Sequence, residues 1–125
     1  MKNIFILEDE QVLGSLYKKH LEAAGYKVCW EKYAENVLLI LKSFPADILF
    51  IDHGIEGKEL AGLDIIPNIK KLLPHAKIIV LSNYSKFQLG GKAKSLGADD
   101  YLVKLQCTPK KLLVYLKKLI AKEEI

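Results

Sequence analysis

Apolar and polar positions along this chain follow two alternating periods. Short runs of strand character occur at 3–7, 27–30, 47–51, 77–81 and 100–103. Within them "IFIL", "ILFI" and "IIVL" carry no polar position on either side, the pattern of strands covered on both faces of a parallel sheet. Between the runs the spacing changes to that of helices. Leu13, Leu16, Tyr17, His20, Leu21 and Ala24 fall on one stripe, and Gly25 supplies a left-handed stop. Val37, Leu38 and Leu41 form a second stripe that ends at Phe44 and Pro45. A third helix is expected over 63–73, where Pro67 is tolerable only in a first turn or as a kink. A fourth covers 86–96 and contains Gly90 and Gly91. Each glycine costs roughly 0.8–1 kcal/mol relative to alanine inside a helix, which predicts a short, frayed or mobile element. The last helix opens with Thr108 as N-cap and Pro109 at the first helical position, and places Leu112, Leu113, Leu116, Leu119 and Ile120 on one face.

Strand and helix alternating in this way imply an α/β, doubly wound parallel sheet of five strands with helices on both faces. The ligand site of such a sheet lies outside the carboxyl ends of its strands. Glu8 and Asp9 follow the first run, Asp52 the third, Ser82 the fourth and Lys104 the fifth. An aspartate after a strand is by itself most often a turn former or a helix cap. The combination calls for more. Asp9 and Asp52 on neighbouring strands repel unless a cation lies between them. Mg2+ suits a site that offers one or two carboxylates and shares phosphate oxygens. Such an ion stabilises a phosphoryl group in transfer, and Lys104 can pair with the same oxygens. A carboxylate in that position can itself be the nucleophile and form an acyl phosphate, with Ser82 in hydrogen-bonding reach of a phosphoryl oxygen.

Composition adds limits. The chain has 125 residues, the length of one ordinary domain, and Lys+Arg exceeds Asp+Glu by 19 to 15, for a formal charge of +4. Most of the surplus lysine lies after residue 69, where solvated helix faces account for it better than nucleic-acid binding. Cys29 and Cys107 are far apart and form no metal-binding or disulfide pattern; they read as buried thiols of a reducing cytosol. The apolar run at 4–7 is too short for a signal peptide or a membrane span, so a cytoplasmic protein is expected.

With "LEDE", "ILFID", "IIVLS" and "GADDYLVK" in place, the chain resembles a response-regulator receiver domain of a two-component phosphorelay over essentially its whole length. The resemblance implies a flavodoxin-like receiver fold with strand order 2-1-3-4-5, and one receiver domain over 1–125 without an output domain. Asp52 would be the phosphoacceptor. Asp9 would bind Mg2+ directly, Glu8 mainly through water, and Gly54 through its backbone carbonyl. Lys104 would contact the phosphoryl group, Ser82 would swing towards it, and Tyr101 would turn from an exposed to a buried rotamer beside the fourth helix. A histidine kinase or histidine phosphotransfer protein would be the donor and a downstream protein the target, with no nucleic acid or membrane involved and the chain a monomer or weak homodimer.

The chain also departs from that pattern. Leu105 stands where a proline with a cis peptide is usual, so a trans loop and a differently aimed lysine are expected. Glu56 replaces a proline after the acceptor, His53 replaces a commoner apolar residue, and Asn83 replaces a small one. A degenerate receiver that binds partners without phosphorylation is therefore a second reading. An aspartyl-phosphate hydrolase would need another aspartate where Gly54 stands, and a mononucleotide binder would need a glycine-rich loop where the acids stand.

Overall fold

The apolar runs form five parallel strands: β1 (Asn3–Leu7), β2 (Lys27–Glu31), β3 (Ile48–Asp52), β4 (Lys77–Ser82) and β5 (Asp100–Val103), in the order β2-β1-β3-β4-β5. They are seen in a computed structural model that describes residues 2–53, 61–83 and 86–123. The crossovers carry α1 (Gln11–Ala23), α2 (Val37–Ser43) behind a single turn at Ala34–Asn36, α3 (Ala61–Asp64), α4 (Ile66–Leu72) and α5 (Lys86–Leu96); α6 (Pro109–Glu123) follows β5.

Alternation along each strand divides the core into two layers. Phe5, Leu7, Leu49, Ile51, Ile78 and Val80 face α2 to α5 and meet Val37, Leu41, Leu63, Ile66, Ile69 and Ala93. Ile4, Ile6, Ile48, Phe50, Ile79 and Leu81 face α1 and α6 and meet Tyr17, Leu21, Leu112 and Leu116. The four apolar positions of β3 are buried, as its continuous apolar pattern requires, and Asp52 at its end is buried with them. Among the described residues no helix is long and apolar enough to cross a membrane.

Several local expectations hold. Thr108 caps α6 by accepting the Lys111 N–H at 3.2 Å, and Gly25 ends α1 at φ 99°. Others need correction. The helix expected over 63–73 is two: α3 ends at Asp64, a turn intervenes at Ile65, and Pro67 falls in the first turn of α4, where its missing N–H costs no hydrogen bond. The glycine pair does not shorten α5, which runs for 11 residues. Asp47 precedes β3 rather than starting it, and its carboxylate accepts the Asn3 N–H at 2.8 Å. Cys107 is buried, but Cys29 is only half-buried.

Gly14 lies on α1 where a Cβ would run into the Trp30 indole. Gly14→Ala therefore sets two effects against each other. Helix propensity favours alanine by roughly 1 kcal/mol, whereas overpacking a filled interior costs about 1–3 kcal/mol. The indole is a rigid plate also tied by a hydrogen bond, so overpacking wins. Urea unfolding should show Gly14→Ala less stable than the parent by up to about 2 kcal/mol, the overpacking cost less the propensity gain; a stabilised variant would show that the ring has room to yield.

Candidate functional site

Parallel strands that end on one edge set their last residues side by side. Leu7 pairs with Ile51, Asp52 with Leu81 and Ser82 with Val103. The residues at or just after these ends are Glu8, Asp9, Asp52, Ser82 and Lys104. Glu8 and Asp52 are each 1% exposed, and Asp9 is half-buried. One oxygen from each of the three acids lies within 4.8 Å of the other two.

Lys104 reaches into this cluster. Its Nζ stands 2.7 Å from Glu8 Oε1, donates to Glu8 Oε2 at 2.9 Å and donates to Asp52 Oδ2 at 3.1 Å. The Oε1 contact is an ion pair without hydrogen-bond geometry, which leaves that buried oxygen without a hydrogen bond. Glu8 itself is held from several sides. The Glu10 N–H donates to its Oε2 at 3.1 Å, the Trp30 indole N–H donates to its carbonyl at 2.9 Å, and its own N–H donates to the Glu31 carbonyl at 3.0 Å.

One ammonium neutralises only one of two buried carboxylates. Burial, followed by the charge of Asp52, pushes the Glu8 carboxyl up to about 8, against the lowering effect of the Lys104 hydrogen bond. Lys104 is raised as well: burial lowers it, but the bond to Glu8 and the charge of Asp52 outweigh that. Excess negative charge, three converging carboxylates and an oxygen without a hydrogen bond together fit a hard divalent cation with oxygen ligands.

Beside the acids lies a second pair. His53 Nδ1 and Ser82 Oγ are 2.8 Å apart, with His53 2% and Ser82 0% exposed. Tyr101 is buried opposite Val80, in the layer facing α5. The remaining acids of "GADDYLVK" lie at the other end of β5: Asp99 accepts the Ile78 N–H at 2.8 Å and Asp100 accepts the Tyr115 hydroxyl at 2.6 Å. Leu105 is exposed and joined to Lys104 by a trans peptide, yet the lysine still reaches both acids. The expectation that it would be aimed elsewhere is thereby corrected. Gly54 and Glu56 lie outside the described residues.

Sequence reasoning brought Glu8, Asp9, Asp52, Ser82 and Lys104 to one edge, and the structure places them there. It missed three supporting contacts: the Trp30 bond to Glu8, the His53 bond to Ser82, and Gly62, where a Cβ would run into the Asp52 carbonyl. Nothing in the sequence spacing shows how closely α3 approaches Asp52.

A family profile described as the response regulator receiver domain matches residues 4–117. The chain belongs to this family. Receivers are signalling modules rather than dedicated enzymes, and the five-stranded order found here is theirs. A putative NtrX-like response regulator of Rickettsia typhi is 27% identical over 116 residues, covering 93% of this receiver and 24% of that protein. The transcriptional regulatory protein YbdJ of Bacillus subtilis is 28% identical over 117 residues, covering 94% of this chain and 50% of its own length. This receiver thus spans about a quarter of the NtrX-like relatives it matches. Among solved structures, a CheY-like receiver domain protein from Methanospirillum hungatei superposes with a TM-score of 0.86 at 25% identity, covering 99% of this chain and 97% of that one. A response regulator from Thermotoga maritima gives 0.81 at 28% identity, covering 97% and 98%.

The Glu8 shift has a defined sign. Between its ordinary 4.5 and about 8, the folded receiver binds a proton at Glu8 that the unfolded chain releases, so this group's contribution makes stability fall as pH rises through that window. In the presence of a chelator, melting temperatures measured from pH 5 to 8 should fall for the parent and fall less steeply for Glu8→Gln, which should be the more stable of the two at pH 8. Parallel curves would show that Glu8 carries no such strain.

Proposed function

We propose that this receiver takes a phosphoryl group onto Asp52 from a phosphohistidine of a histidine kinase or histidine phosphotransfer protein. The supporting observation is a buried Asp52 carboxylate that accepts a hydrogen bond from Lys104 inside a cluster of three acids. An Asp52 oxygen attacks phosphorus, the P–N bond breaks, its electron pair leaves with the donor imidazole, and an aspartyl phosphate remains. Lys104 spans Glu8 and Asp52 and can pass from carboxylate to phosphoryl oxygens without leaving the site. Asp9 and Asp52 would hold Mg2+ directly, Glu8 mainly through water and Gly54 through its carbonyl; when bound, the ion neutralises charge on the transferring group. Ser82 then turns to a phosphoryl oxygen, and the surface around Tyr101 and α5 carries the signal to a downstream protein in the cytoplasm. The apolar packing of Tyr101 against the α5 layer is what couples the two.

Incubation with Mg2+ and a small phosphodonor, followed by intact mass measurement, should show a gain of one phosphoryl group. The gain should disappear in Asp52→Asn and under chelation, and its rate should drop on the order of tenfold in Lys104→Ala, the effect of losing a charge-assisted hydrogen bond. A wild-type chain that gains nothing from any donor would instead support phosphorylation-independent partner binding.

Trp30 is the single tryptophan and donates to the Glu8 carbonyl, so it reports on the acids directly. Magnesium titration should produce a saturable change in its fluorescence that is absent or much weaker in Asp9→Asn. An identical response in that variant would remove Asp9 from the metal site.

A further inference from the structure

We infer that His53 is a positioning residue for Ser82, holding its hydroxyl on the imidazole until a phosphoryl oxygen competes for it; this rests on the phosphoacceptor reading of Asp52. Strand geometry brings the two together. The His53 N–H donates to the Leu81 carbonyl at 3.1 Å and so carries the β3–β4 pairing one residue past Asp52. Alternation puts His53 on the side of Ile51 and Ser82 on the side of Val80, both towards the layer of α2 to α5. Asp52 falls on the other side, with Phe50 and Leu81. A hydroxyl held by His53 is therefore drawn to the opposite side of β3 from the carboxylate that it must serve.

The 2.8 Å bond is buried at both ends, with His53 2% and Ser82 0% exposed, so water cannot replace either partner. It forms in either imidazole tautomer: Nδ1–H donates to Oγ, or Oγ–H donates to Nδ1. Where Oγ–H donates to Nδ1, Ser82 can donate to a phosphoryl oxygen only by giving up this bond; where Nδ1–H donates to Oγ, the hydroxyl proton stays free but its oxygen is held on the His53 side of the strand. Tyr101 already lies buried in this structure, which leaves the hydroxyl as the switch group still to move. An apolar residue at 53 would impose no such restraint. The histidine thus sets a threshold for activation, worth about fivefold in the equilibrium for one net hydrogen bond.

Beryllofluoride, a mimic of the aspartyl phosphate, tests this when titrated in the presence of Mg2+ with the Tyr101 amide resonance as readout. His53→Leu should saturate at a concentration about fivefold below wild type. His53→Asn, which keeps a polar atom near the Nδ1 position, should titrate close to wild type, and His53→Met substitutes for the leucine variant if that one fails to fold. In a Ser82→Ala background the effect of His53→Leu should vanish, because the two residues act through one bond. An unchanged or weakened response in His53→Leu, or the same gain without Ser82, overturns the inference alone. A wild-type chain that neither gains mass from a phosphodonor nor responds to beryllofluoride overturns the phosphoacceptor reading, and this inference with it.

Discussion

A single ammonium shared between two buried carboxylates organises the carboxyl edge of this sheet. Lys104 follows β5, whereas its partners follow β1 and end β3, with β4 lying between. Adjacent strands are about 4.8 Å apart, so β5 and β3 are separated by roughly 10 Å and β1 lies further still. Only a long side chain leaving from a turn that folds over the end of β4 can cover that span. Neither charge pattern nor strand order accounts for the site separately, because the lysine must leave from the turn after β5 to reach acids two and three strands away.

The same arrangement is electrostatically incomplete, and that is its chemical value. A buried ion pair stripped of one member leaves an uncompensated charge, which costs far more than the pair ever contributes. Here the deficit is built in: two carboxylates, one ammonium, and a Glu8 carboxyl displaced upward by burial and by Asp52. The fold tolerates this because residues 4–7 of β1 and 48–51 of β3 are apolar and packed on both faces, which confines the polar cost at this edge to the strand tips. A divalent cation is the natural complement to the remaining charge. A cation bound at this edge of the folded receiver would stabilise it by mass action.

Most of the scaffold was readable because it depends on local period. Asn3–Leu7 and Asp100–Val103 have the bounds that their apolar runs suggest, and the Thr108–Pro109 start of α6 is a chemical signal that tertiary contacts do not override. The acids, hydroxyl and lysine were readable for a different reason: strand alternation and a parallel sheet together imply a common edge. What stayed hidden depends on register. Trp30 meets Glu8 because Ile6 pairs with Trp30 and Leu7 with Glu31, a pairing that no single run reveals. His53 meets Ser82 only because backbone pairing extends beyond Asp52. The break at Ile65 was hidden because Pro67 is compatible both with a kink and with a fresh helical start, and the sequence does not rank them.

The loop after β5 shows how a fold can reach a familiar geometry by another route. Without a proline at 105, its shape is set by a single helical turn over Lys104–Gln106, closed by the Cys107 N–H donating to the Lys104 carbonyl at 3.0 Å. The turn is then fastened to the neighbouring layer, since the buried Tyr17 hydroxyl on α1 donates to the Cys107 carbonyl at 2.7 Å. Leu105 can consequently project outward at 83% exposure without disturbing the lysine beside it. Backbone rigidity that a proline would supply covalently is supplied here by two hydrogen bonds, one of them reaching from the far end of the sequence to the first helix. Position 105 is thereby released from shaping the loop. What it presents instead is an exposed apolar side chain next to the edge where Asp52 and Lys104 meet.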